Sequence, residues 1–131
     1  ALLVDWGYRH DGIPVKLFGA WTTLPAGPAV LAAKTGAMIA PMAVRRTKDG
    51  RFQVDAEEAF GVPSSNPADL QRATQRIADM LERTIAAAPE QWYSFKPMWP
   101  SDPAEAAELA IRAAAMLAGE AAPSEAGDDP S

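Results

Sequence analysis

Between Gly19 and Gly36 the chain reads Gly-Ala-Trp-Thr-Thr-Leu-Pro-Ala-Gly-Pro-Ala-Val-Leu-Ala-Ala-Lys-Thr-Gly. Thr22, Thr23 and Gly27 lie in a hydroxyl-rich Gly/Pro loop, and Pro28 stands where a first helical residue belongs, its φ preset and no N–H left over. Free N–H groups at a helix start, behind such a loop, suit an anion: a phosphate or a developing oxyanion. The competing reading is an ordinary strand-to-helix connection. No Gly-Lys-Ser/Thr follows, so this is not a nucleotide phosphate loop. Two other places offer related chemistry. Asp5 sets a carboxylate at the end of the apolar run Ala1–Val4. Arg45-Arg46 sets two guanidiniums at the end of another, where they suit a phosphate. Each also fits a plain solvated strand end. His10, the one histidine, sits in a polar turn without an apolar flank and reads as an exposed side chain rather than a general base.

These groups must be positioned by the elements around them. Ala1–Val4 reads as a buried strand and Ile13–Phe18 as a second. In an open α/β sheet, functional groups gather outside the carboxyl ends of parallel strands, which would bring Asp5 toward Thr22 and Thr23. The connection from Asp5 to Gly12 is too short for a parallel crossover, so the second strand is alternatively antiparallel or outside the sheet. A short helix from Pro28 stops at Gly36. Ala37–Val44 is apolar enough for a buried strand, with Pro41 implying a bulge or an edge. Thr47–Gly50 then turns into an antiparallel, half-exposed strand, Arg51–Ala56. Asn66-Pro67-Ala68-Asp69 opens a long helix. Its stripe of Leu70, Thr74, Ile77, Leu81, Ile85 and Ala88 is buried, while Arg72, Arg76, Asp79, Glu82 and Arg83 face water. Glu90–Pro100 carries Trp92, Tyr93, Phe95 and Trp99. It folds back over the sheet or forms an amphipathic, membrane-interface wall. Asp102-Pro103-Ala104-Glu105 starts an alanine-rich helix to Leu117. Residues 119–131 read as a disordered acidic tail.

With 131 residues, 48% of them hydrophobic, the chain has the makings of one domain with a real core. A net charge of −5 argues against a nucleic-acid partner. Cysteine is absent, which excludes disulfides and Cys-ligated zinc. Nothing calls for a cofactor or a metal. No apolar run approaches the roughly 20 residues of a spanning helix, and no signal peptide is legible. The chain opens mid-pattern on an apolar strand, as the C-terminal part of something longer would.

Taken together, several stretches resemble a family. They are Asp5 behind a hydrophobic strand, Gly12-Ile13-Pro14-Val15-Lys16-Leu17-Phe18-Gly19, Leu24-Pro25-Ala26-Gly27-Pro28-Ala29, Leu31-Ala32, Thr35-Gly36-Ala37, Pro41, Arg45-Arg46, Asp49-Gly50-Arg51 and Pro89-Glu90-Gln91-Trp92. The chain resembles the C-terminal half of the bacterial lipid A biosynthesis acyltransferases, a family that includes the lauroyl/myristoyl and phosphatidylinositol mannoside acyltransferases. The resemblance spans roughly residues 1–100. It leaves 101–118 as an added helix and 119–131 as the tail. It implies an α/β fold like that of the glycerolipid acyltransferases, with a mainly parallel sheet flanked by helices and here incomplete at its N-terminus. It implies a fatty acyl group moving from acyl-CoA or acyl-ACP to a glycolipid hydroxyl, and peripheral contact with the cytoplasmic face of the inner membrane. A His base, an orienting carboxylate and oxyanion donors would suit that chemistry.

The family's catalytic motif is a His, four residues, then Asp or Glu. His10 is followed at that spacing by Val15, so the motif is expected upstream and this chain holds no catalytic residue. Related members carry a second acid where Gly7 stands, and many mannoside-type members an acid where Ala20 stands, so neither role transfers. What remains is substrate binding by Asp5, Thr22, Thr23, Gly27, Arg45 and Arg46, braced by Gln91 and Trp92. The alternative is a non-catalytic module that binds an anion or a lipid.

Overall fold

The computed structural model describes residues 1–119. Strands β1 (Ile13–Leu17) and β2 (Ala20–Leu24) form one hairpin. They are joined by Phe18 and Gly19, both with positive φ, 53° and 74°. A two-residue turn of that hand matches the natural twist of a strand pair, and glycine adopts it freely. Helix α1 (Gly27–Thr35) has Pro28 in its first turn and ends at Gly36, whose φ of 75° lets its N–H donate to the Ala32 carbonyl at 2.9 Å. Strands β3 (Met42–Arg46) and β4 (Phe52–Ala56) pair antiparallel, Val44 opposite Val54. Their turn closes with Gly50 donating to the Thr47 carbonyl at 3.0 Å. Helices α2 (Pro67–Ala87) and α3 (Pro103–Ala118) complete the domain. The acidic tail expected over 119–131 lies, apart from Gly119, outside the described residues.

The mainly parallel sheet expected from the sequence does not form. The chain is a small α/β domain with two separate antiparallel hairpins. Each strand's sequence neighbour lies across a tight turn, and that closure is necessarily antiparallel. Trp21–Leu24, read as loop, is β2. Ala1–Val4, read as a buried strand, pairs with no strand among the described residues, and Leu3 is 80% exposed. Ala37–Val44 becomes strand only from Met42. That strand is not buried: Met42, Val44, Phe52 and Val54 stand exposed on one face of the β3–β4 hairpin.

Helix α2 explains why β1 takes no further strand. The backbone groups of β1 that face away from β2 are met by helix side chains. Gln71 Nε2 donates to the Pro14 carbonyl at 3.2 Å. Lys16 N–H donates to Gln75 Oε1 at 2.8 Å, and Gln75 Nε2 donates to the Lys16 carbonyl at 2.9 Å. Phe18 N–H donates to Glu82. Pro14 has no N–H to satisfy. The edge is therefore blunted by amides and a carboxylate, and an exposed template for aggregation is covered. Glu82, expected in water, is thereby drawn onto the strand.

The α2 stripe packs as its spacing predicts. Thr74, Ile77, Leu81, Ile85 and Ala88 are buried with Val15, Leu17 and Leu24. Each such leucine contributes roughly 2 kcal/mol by leaving water. The aromatic segment divides between its two readings. Met98 is buried, and Trp92 and Trp99 pack against the core, Trp99 Nε1 donating to the Leu17 carbonyl at 3.2 Å. Tyr93 and Phe95 stand in solvent.

Helix α3 starts as its cap predicts, Asp102 Oδ1 accepting from Ala104 N–H at 2.9 Å. It buries Leu109 and Ala113 against the rest. Arg112 donates to the carbonyls of His10 and Gly12, both at 2.9 Å. Tyr8 Oη donates to Glu105 at 2.7 Å. Burial first, then that bond, pushes the Tyr8 phenol from 10.0 up to about 12. The folded state thus holds this proton more tightly than the unfolded state. Its stabilisation is full below pH 10.0 and is lost as pH climbs toward about 12. Thermal melts should show the difference in Tm between the native chain and Tyr8→Phe changing across that window. A difference that stays flat would refute the linkage.

Candidate functional site

The six candidate residues fall in three places, decided by which face of which element each occupies. Asp5 and Arg45 share one cavity of about 390 Å³. Its walls are apolar: Leu2, Leu3 and Val4 on one side, Met80, Leu81 and Ile85 of α2 on the other. Its polar lining comes from Asp5, Arg45, Thr84, Gln91 and Trp92. Arg45 Nε lies 2.7 Å from Asp55 Oδ2 across the hairpin, which fixes the guanidinium. Asp5 is exposed and makes no such pairing among the described residues. The Trp92 indole N–H is buried without a hydrogen-bond partner among the described residues, and an unmet buried donor costs about 1–3 kcal/mol. An apolar trough with a carboxylate, a fixed cation and an unmet donor fits a long aliphatic chain attached to a polar group.

Thr22 and Thr23 are fully buried, and their hydroxyls bond to backbone. Thr22 donates to the Met98 carbonyl and Thr23 to the Arg9 carbonyl. Arg9 N–H also donates to Thr23 Oγ1, at 3.3 Å. In this arrangement the two threonines pin neighbouring loops to β2. Thr23 also lines a second cavity, of about 380 Å³, with Arg9, Asp11, Gly12 and Ala26. Gly27 follows Ala26 as the first residue of α1, and the α1 N-terminus has no side-chain cap. The nearby cation is matched. Arg9 meets both carboxylate oxygens of Asp11, at 3.1 and 3.2 Å, and holds that carboxyl below its ordinary range. His10 is exposed, with Nδ1 3.6 Å from Glu105.

Arg46 lies on the opposite face of β3 from Arg45, as successive strand residues must. The side-chain amide of Gln91 brackets its backbone, accepting from Arg46 N–H at 2.7 Å and donating to the Arg46 carbonyl at 2.8 Å. Its guanidinium lies 5.5 Å from the centre of the Phe52 ring. The structure thus brings together Asp5 with Arg45, and places Arg46, Thr22, Thr23 and Gly27 apart from them. Lys48, Phe52 and Tyr93 share a cleft with Arg46. Sequence reasoning passed over them, although the turn position of Lys48 and the alternation of Arg46 were visible in the pattern. Among the described residues there is no group of three or more His, Asp or Glu side chains placed to hold a metal ion. Nor is any helix among them long and apolar enough to cross a membrane.

A family model described as bacterial lipid A biosynthesis acyltransferase matches residues 1–101. A phosphatidylinositol mannoside acyltransferase of Mycobacterium tuberculosis (strain CDC 1551 / Oshkosh) is 32% identical over 114 residues, covering 85% of this chain and 34% of the relative. The same figures hold for the protein of that name in Mycobacterium tuberculosis strain H37Rv. One from Mycolicibacterium smegmatis is 32% identical over 104 residues, covering 77% of this chain and 32% of the relative. The chain therefore spans about a third of the length of the curated relatives it matches.

Proposed function

The chain belongs to the bacterial lipid A biosynthesis acyltransferase family, and on that premise we propose that it is the C-terminal, supporting portion of an enzyme that moves a fatty acyl group from acyl-CoA or acyl-ACP to a glycolipid hydroxyl. The observation that carries this reading is the trough between residues 2–5 and α2. Aliphatic walls from Leu2, Leu3, Met80 and Ile85 suit a fatty chain. Asp5, the Arg45–Asp55 pair and Trp92 suit the polar group at its end. The base that would activate the acceptor hydroxyl is not in this chain, since the residue five after His10 is Val15. Asp5, Thr22, Thr23, Gly27, Arg45 and Arg46, expected from the sequence to bind substrate, divide their roles within this reading. Asp5 and Arg45 meet substrate, while Thr22 and Thr23 hold the loops that shape the site.

Contact with the cytoplasmic face of the inner membrane is part of the same proposal. Exposed Trp6, Tyr93 and Phe95, with Lys96 Nζ 5.4 Å from the Trp6 ring centre, form the aromatic and cationic surface that suits a headgroup region.

The test is an acyl-transfer assay with labelled acyl-CoA and a mannosylated phosphatidylinositol acceptor. The 131-residue chain is expected to show no turnover above the uncatalysed rate. A polypeptide that adds the remainder of the family domain is expected to turn over, and Asp5→Asn in it to lower kcat/KM at least tenfold. Turnover by the isolated chain, or an unaffected Asp5→Asn, would overturn the proposal. Binding of lipid by a full-length protein that never transfers acyl groups would favour a binding module instead.

A further inference from the structure

We propose that the cleft at the base of the β3–β4 hairpin is a binding site for a phosphate ester, held by Arg46 and Lys48. This chemistry does not depend on the acyl-transfer reading, although the two natural sources of the phosphate follow from it.

Four cations crowd the hairpin: Arg45, Arg46, Lys48 and Arg51. Two are matched. Arg45 pairs with Asp55 at 2.7 Å and Arg51 with Asp49 at 3.5 Å. Asp49 is further held by the Thr47 hydroxyl. Arg46 and Lys48 meet no carboxylate among the described residues, and both line the same cleft of about 380 Å³. Strand alternation produces this sorting. It turns Arg45 to the face that carries Asp55 and Arg46 to the face that carries Phe52.

In a chain of net charge −5, two unmatched cations in one cleft are a local reversal of sign. The site is also anchored. Gln91 holds the Arg46 backbone through two hydrogen bonds, so the guanidinium projects from a fixed point. Phe52 and Tyr93, 70% and 76% exposed, stand as apolar walls in the same cleft. A planar fork and an ammonium beside aromatic faces fit a phosphate oxygen cluster attached to a ring or a lipid. The source is a nucleotide-bearing acyl carrier or the phosphodiester of an inositol lipid.

The experiment measures binding of the 131-residue chain to coenzyme A in solution, to inorganic pyrophosphate, and to phosphatidylcholine vesicles with and without phosphatidylinositol. Arg46→Gln with Lys48→Gln is expected to weaken binding at least tenfold. Lys16→Gln with Lys34→Gln removes the same net charge away from the hairpin, at two exposed positions, and is expected to change it less than about threefold, as for any screened surface charge. Lys48→Gln alone, in a solvent-exposed turn, gives a second reading independent of the strand. NMR shift changes should centre on residues 44–52 and Tyr93. Binding to coenzyme A points to the carrier, and binding only to vesicles containing phosphatidylinositol points to the lipid. No binding to any probe, or equal losses in the two double variants, overturns the site. Phosphate binding without acyl transfer in the complete protein leaves this site standing while the proposed activity falls.

Discussion

Gly12→Ala is expected to destabilise the chain by about 3 kcal/mol, enough to lower Tm by roughly 10 °C. A Cβ at Gly12 would lie 2.7 Å from both Cβ and Oγ1 of Thr23 and 2.8 Å from the Leu24 carbonyl oxygen. None of these neighbours can yield cheaply. Thr23 is buried, and its hydroxyl is bonded to the Arg9 carbonyl while accepting from Arg9 N–H. The Gly12 backbone is held from the other side by Arg112 at 2.9 Å and by its own N–H to the Arg9 carbonyl at 3.2 Å. The clash therefore falls on a loop pinned by β2 and α3 together. Urea unfolding should show a lower midpoint with an unchanged slope. Gly27→Ala is the control, because its added Cβ meets nothing within 4 Å, and it should shift stability by less than about 0.5 kcal/mol. Equal midpoints for Gly12→Ala and the native chain would show that the loop is looser than its bonds indicate.

Leu17→Ala should cost about 3 kcal/mol. Leu17 has no exposed surface and belongs to the cluster with Leu24, Ile77 and Leu81. Its carbonyl accepts from the Trp99 indole, and the next N–H, of Phe18, is held by Glu82. The backbone around the deleted side chain is thus fixed on both sides, and the space cannot collapse. That keeps the substitution within the usual range for a buried leucine. Leu31→Ala, at a position 54% exposed, should cost under about 1 kcal/mol. Thermal melts of the two variants side by side make the comparison, and similar losses from both would mean that β1 is not the centre of the core.

Sequence pattern reached the helices and one hairpin because their signals are local. Pro28 and Gly36 bound α1, Asn66-Pro67 opens α2, and Asp102 caps α3 within a residue or two of where the pattern places them. Thr47–Gly50 marks its turn by composition alone. Phe18-Gly19 was an available signal of the same kind. A residue-glycine pair between two β-prone runs is how a two-residue hairpin announces itself, although the same pair also fits the end of a single strand. The alternation of Arg45 and Arg46 was equally open to reading, since neighbours on a strand face opposite ways.

By itself, then, the sequence determined the family of the chain, the residues that open its helices (although Asn66 makes no side-chain cap), the buried stripe of α2 and the absence of thiol chemistry. All of these follow from residue types at short spacings. The tertiary structure alone decided the sheet's direction, the exposure of Met42 and Val44, and the division of the candidate residues among three places. Those depend on partners distant along the chain. Gln71, Gln75 and Glu82 occupy the edge of β1, Met98 takes the Thr22 hydroxyl, and Asp55 claims Arg45 while Arg46 is left to Phe52. A side chain's chemistry is written in its residue type. Whether that chemistry is free to act depends on which backbone group or opposite charge the fold brings against it.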